Sequence, residues 1–147
     1  MDKKFDPMDK FNFLLGTWEM KYDVPKSKFS AADKGTGIGE FKRILNDKYV
    51  AFDYHAKFTK SEGGAHGIFG WDEKSNIYRY WWFENSGAFM EASCNFTNDN
   101  TLSMNWHNST LVQTFTKMKN DKVILQMKTP VNKDDYAVVL EVVFTKK

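Results

Sequence analysis

The chain has 147 residues, one cysteine and a formal net charge of +2, with 21 basic and 19 acidic side chains. The lone Cys94 excludes an intrachain disulfide, and charges mixed without a basic arm or stripe argue against nucleic acid or a membrane surface as partner. No run approaches the roughly 20 apolar residues of a membrane-spanning helix, and "MDKKFDPMDKF" lacks a signal-like apolar core, so one cytoplasmic domain over 1–147 is expected.

Taken in chain order, "FDPMDKFNFLLG" reads as one helical turn, with Asp6 as cap, Pro7 at the first position, and Phe11 and Leu14 free to plug an open end of the fold. Period-two alternation then recurs almost without interruption. It predicts strands at about 13–24, 35–45, 48–59, 66–71, 76–84, 87–96, 100–107, 110–118, 121–128 and 135–146. Short turn segments separate them, among them "LNDK", whose Asn46 and Asp47 tolerate the left-handed region of tight hairpins. Pro130 falls in a turn, where its missing N–H costs no ladder bond. Ten short strands joined by hairpin-length links form an all-β, up-and-down antiparallel meander, and closure into a barrel removes its two edges. Gly35, Gly37 and Gly39 in "GTGIGEF" suit a strand bending at a barrel corner, whereas a phosphate-cradling loop would have to open a helix.

The Leu14-x-Gly16-x-Trp18 opening, the "GTGIGEFKRIL" second strand and the aromatic "GIFGWDEKSNIYRYWW" hairpin together resemble a bacterial family of small lipocalin-like barrels. That family is similar more distantly to lipocalins, fatty-acid-binding proteins and nitrobindins, the calycin group. The resemblance covers most of the chain and implies a closed calycin-like barrel of eight to ten strands around a mostly apolar cavity, with no reaction attached. It also implies that Trp18 plugs the barrel floor under a basic side chain from the last strand. Lys146 is the candidate, on a face with Tyr136, Val138, Leu140, Val142 and Phe144, and Gly16 would admit a close backbone neighbour. Nitrobindin-like barrels hold haem through a histidine near the chain end. No histidine follows His107 here, so no cofactor is expected.

The strand "IYRYWWFE" is aromatic on both faces. One phase sends Arg79, Trp81 and Phe83 inward and leaves Tyr78, Tyr80 and Trp82 as an outer patch suited to a homodimer. The opposite phase is nearly as defensible. On the first phase the ligand-binding walls are Phe52, Trp81, Phe83, Met90, Trp106 and Phe115, with Arg79 or Gln113 as polar anchor. An inward guanidinium would grip a carboxylate, while an outward one would pair with Glu91 on the next strand. Ala88, Ala92 and Cys94 share a face of small residues that either leave a void or are filled in by neighbours.

His55, His66 and His107 have no local ligand spacing, so no metal is expected. Asp53 and His55, two apart on one strand face, are read first as a solvent-facing contact and only second as an acid–base pair. Neither Ser86 nor Ser93 has a nucleophile's motif context, and no catalytic residue is assigned. The leading expectation is therefore binding of a small hydrophobic or amphipathic molecule inside the barrel. The alternatives are a filled-barrel dimeric interaction module, or an enzyme on an apolar substrate using His55.

Overall fold

The computed structural model describes residues 6–28 and 30–147. A 3-10 helix, Pro7–Leu14, leads into ten strands: β1 (Gly16–Val24), β2 (Asp33–Ile44), β3 (Tyr49–Phe58), β4 (Glu62–Asp72), β5 (Ile77–Glu84), β6 (Phe89–Asn98), β7 (Thr101–Trp106), β8 (Val112–Lys117), β9 (Val123–Pro130) and β10 (Tyr136–Lys146). Each pairs antiparallel with its chain neighbour, and β10 closes on β1, so the sheet is an all-β barrel without free edges. Pro130 is the last residue of β9 and so ends a strand rather than standing in the turn.

Turn chemistry sets the links. Leu45, Asn46 and Asp47 all adopt positive φ between β2 and β3, and Asn76 and Asn108 do so in other turns. Between β5 and β6 the Glu84 N–H donates to the Ala88 carbonyl and the Gly87 N–H to the Glu84 carbonyl. Gly87 sits at φ +95°, which makes Asn85–Gly87 a three-residue loop with glycine at its left-handed position.

The helix closes one end. Asp6 accepts from the Met8 N–H at 2.9 Å, Pro7 occupies the first turn, and Met8, Phe11 and Leu14 are buried. Arg43 clamps it from outside, 2.7 Å from Asp9 and 3.2 Å from Asp6, and the Tyr78 hydroxyl donates to the Pro7 carbonyl at 2.6 Å. The backbone N–H of Met8, with the Arg43 guanidinium behind it, holds the Asp6 carboxyl below the ordinary carboxylate range. Above the helix, the Trp18 indole donates to the Leu14 carbonyl at 2.7 Å, and the Lys146 ammonium lies 4.5 Å from the Trp18 ring while bonding the Leu15 carbonyl. Gly16, at φ +120°, makes room for that lysine side chain, not for a second backbone: a Cβ there would meet the Lys146 Nζ at 2.7 Å.

Gly35, Gly37 and Gly39 face inward on a strand whose ladder with β1 and β3 runs without a register shift. Their missing side chains leave the volume that Phe58, Tyr22, Met20 and Phe52 occupy. The lower half is filled with stacked and edge-on rings, including Phe41 on Phe52 at 3.9 Å and Phe11 on Phe69 at 4.9 Å. A register shift between Val138 and Leu140 breaks the alternation of β10. It pairs Ala137 with buried Thr129 and leaves Tyr136 exposed, so Tyr136 does not share the inner face of Leu140, Val142 and Phe144.

Candidate functional site

With the floor sealed, the opposite end of the barrel stays open. A funnel of about 390 Å³ enters there between β1, β3, β4, the β5–β6 turn and β10, bounded by Tyr22, Tyr54, Ala56, Phe58, Ala65 and Leu140. Below it, and sharing Tyr22, Tyr54 and Leu140, lies a chamber of about 70 Å³ lined further by Phe52, Tyr80, Trp82, Trp106, Gln113 and Phe115. No Asp, Glu, His, Lys or Arg lines this chamber among the described residues, whereas Glu62 and Glu84 stand at the funnel rim.

The chamber's polar groups are few and directed. The Trp82 indole donates to the Tyr54 hydroxyl oxygen at 2.9 Å, and the Trp106 indole donates to Gln113 Oε1 at 3.2 Å. Tyr22 is 8% exposed, and its hydroxyl is buried with no hydrogen-bond partner. Such a group loses its water without replacement, at a cost of about 1–3 kcal/mol. Burial pushes the Tyr22, Tyr54 and Tyr80 hydroxyls above the ordinary phenol range, so all three are neutral donors near pH 7.

Of the residues expected to line a ligand site, Phe52, Met90, Trp106, Gln113 and Phe115 lie on the inner face, and Gln113 is 6% exposed beside the chamber. Arg79, Trp81 and Phe83 do not: the inward phase expected for them is corrected. Trp82 pairs with Met90, Tyr80 with Ala92 and Tyr78 with Cys94, and directly paired residues share a face. Tyr78 and Tyr80 are consequently buried, and the outer patch expected from Tyr78, Tyr80 and Trp82 does not exist. Arg79 sits outside, 2.7 Å from Asp72 and 3.5 Å from Glu91, so the barrel interior has no guanidinium for a carboxylate. Tyr80 and Trp82 line the chamber as the opposite phase would have them, and Tyr22 and Tyr54 are among the lining residues that sequence reasoning missed. Strict alternation from the inward Trp18 already pointed to Tyr22.

Outside the barrel, Asp53 does not face His55. It lies 2.5 Å from His66 across β3–β4, and His55 Nε2 is 3.9 Å from Glu62. Both pairs are exposed cross-strand contacts. A shallow trough of about 470 Å³ borders His55, Thr36, Ile38, Lys21 and Lys57 on the outer wall. Ser93 Oγ lies 2.7 Å from His107 Nε2, and His107 Nδ1 lies 3.9 Å from Glu91. The second distance exceeds a hydrogen bond, and Ser93 stands mid-strand without lining the adjoining groove, so the row is a polar ladder. Burial raises the Cys94 thiol to about 12, as suits a small core residue. No cluster of three metal-ligating side chains occurs among the described residues, and no helix is long and apolar enough to cross a membrane.

No known family matches this chain, and no curated protein does. Among solved structures it is similar to the crystal structure of Rv2717c from M. tuberculosis, with a TM-score of 0.64 at 10% identity, covering 98% of this chain and 99% of that one. It is also similar to a de novo designed fluorescence-activating β-barrel, with a TM-score of 0.48 at 11% identity, covering 98% of this chain and 100% of that one. At such identities the likeness to Rv2717c speaks for the fold alone.

Proposed function

We propose that this lipocalin-like barrel binds a small, mainly apolar molecule non-covalently, entering by the funnel and seating its leading end in the chamber. The observation that carries this reading is Tyr22, which borders both funnel and chamber and whose buried hydroxyl has no partner. Buried polar groups without partners are uncommon, and one on a residue that borders a cavity is accounted for by a group that occupies the cavity and reaches it. The funnel volume alone falls within the ~300–1,000 Å³ of small-molecule sites. The floor built from Trp18, Lys146 and the 3-10 helix, with the other end open, supports the lipocalin-like reading.

Native mass spectrometry of protein purified from its own host, compared with the denatured mass, is the test. A reproducible excess that vanishes on denaturation supports a carried ligand. A bare mass, together with no change in N-phenylnaphthylamine fluorescence on titration and none on comparison with the funnel-narrowing variant Ala65→Phe, overturns the reading.

A second reading has an observation of its own. Phe83 and Phe89 face each other across β5–β6 on the outer wall, 49% and 75% exposed, beside Trp81 and a groove of about 370 Å³. Paired exposed rings of this kind suit contact with a second copy of the chain. Light scattering should then show a dimer that Phe89→Glu dissociates without unfolding the barrel; a monomer at high concentration removes this reading.

A further inference from the structure

Resting on the ligand-binding reading, we infer that the chamber selects ligands whose leading end is an uncharged hydrogen-bond acceptor, a carbonyl above all, on an apolar body.

Three observations converge. The first is electrostatic. Among the described residues the chamber is lined by rings, aliphatic and thioether side chains and one amide, with no Lys, Arg, His, Asp or Glu. A carboxylate placed there would be desolvated with no counter-charge, and Arg79, the basic residue of β5, is outside the wall and held by Asp72. Lys26, Lys28 and Lys60 belong to loops at the open end, but none of them lines funnel or chamber.

The second observation is the polarity that the two indoles impose. An indole N–H only donates. The Trp106 contact therefore turns Gln113 Oε1 toward the ring and leaves the NH₂ as the free end of that amide. The Trp82 contact likewise occupies the Tyr54 oxygen, so the hydroxyl proton is what Tyr54 has left to offer. Among the described residues no protein acceptor takes either donor. The Tyr54 and Gln113 oxygens are thus engaged by indoles with their donors spare, while the Tyr22 hydroxyl, able to donate or accept, is engaged by neither.

The third is Tyr22 at the neck, which borders the same space and whose buried hydroxyl has no partner. Tyr22, Tyr54, Tyr80 and Gln113 thus border one small volume with neutral polar groups, each able to donate. That volume, about 70 Å³, holds a single functional group with its adjoining carbon, or about two waters at ~30 Å³ each. A carbonyl oxygen accepts two hydrogen bonds and carries no charge. An ammonium would enjoy the ring faces but would be desolvated beside no carboxylate among the described residues that line the chamber. The body of the ligand trails into the funnel, where Glu62 and Glu84 further disfavour an anionic tail.

The experiment is displacement of N-phenylnaphthylamine by four ligands of one size: benzylacetone, butylbenzene, hydrocinnamate and phenylpropylamine. Benzylacetone should bind about tenfold tighter than butylbenzene, the worth of one to two net hydrogen bonds, and about tenfold tighter than either charged analogue. Tyr22→Phe should weaken benzylacetone about three- to tenfold while leaving butylbenzene unchanged. The isotope-labelled carbonyl stretch of bound benzylacetone should shift to lower frequency, and less so in the variant. If hydrocinnamate or phenylpropylamine displaces the probe as well as the ketone, or if Tyr22→Phe leaves the ketone's advantage intact, the inference is wrong while ligand binding stands. If neither probe nor any of the four binds, both fall together.

Discussion

Removing the Tyr22 hydroxyl should make the ligand-free protein more stable. The ring is buried against Phe58, at 5.1 Å between centroids, and beside Gly37, and both contacts survive in Tyr22→Phe. What disappears is an oxygen with no partner. A buried, unsatisfied hydroxyl costs about 1–3 kcal/mol. Its removal enlarges the chamber by about 10 Å³, which at ~24 cal/mol per Å³ returns only about 0.2 kcal/mol. The net gain is then roughly 1–3 kcal/mol, or a rise in melting temperature of about 3–10 °C for a chain of this length. Calorimetry and urea unfolding of apo protein measure it directly. An unchanged or lowered stability means that water or a shifted neighbour already satisfies the hydroxyl, and the case for an occupant loses its main support. The gain should shrink when a ligand accepts from Tyr22, which ties the stability measurement to the binding one.

Other consequences are independent of the ligand. Trp18→Ala should cost about 3–5 kcal/mol, because it removes a fully buried ring and its bond to the Leu14 carbonyl; Lys146→Met, at an exposed cation–π contact, should cost only about 0.5–1 kcal/mol in the same urea series. Gly67→Ala should destabilise by about 1–3 kcal/mol, since its Cβ would collide with the ring of buried Tyr80; an unaffected midpoint would mean Tyr80 can move aside. Cys94, with its thiol raised to about 12, should react with Ellman's reagent at pH 8 roughly a thousandfold more slowly than a free thiol until the protein unfolds. Stability should be flat toward neutral pH and fall above pH 9–10. The Cys94 and Tyr78 values near 12 and the raised Tyr22 and Tyr80 lie above those of the unfolded chain, so the unfolded chain loses its protons first and is favoured as pH climbs to the folded values; a midpoint constant to pH 12 would refute this.

The strand count and order were open to reading because period-two alternation and short turns act locally, and a meander needs no long-range information beyond closure. The helix was legible beside the alternative of a frayed terminus, since Asp6, Pro7, Phe11 and Leu14 carry its cap, start and buried face within nine residues. The Trp18–Lys146 floor came through the resemblance and holds in the structure. Less was legible at the site. Asp53 stands opposite His66 because β3 and β4 pair in one register, which no spacing along a single strand reveals.

The phase of β5 shows where local information ends. Tyr78, Arg79, Tyr80, Trp81, Trp82 and Phe83 are large on either face, so burying one set or the other gains comparable apolar area, and alternation alone is symmetric. The symmetry breaks at the turn, where Gly87 at positive φ closes a three-residue loop and pairs Trp82 with Met90. On the far side, Gly67 offers the empty space over which the Tyr80 ring lies. In β10, one register shift undoes the run expected from Tyr136 onward. Composition, alternation and the turn residues by themselves therefore determined an aromatic-rich antiparallel meander that closes to remove its edges, while the Trp18–Lys146 floor came with the resemblance. Which tyrosines face the cavity, and that one of them is left without a partner, came from pairing registers and packing, because those are set between strands and not along them.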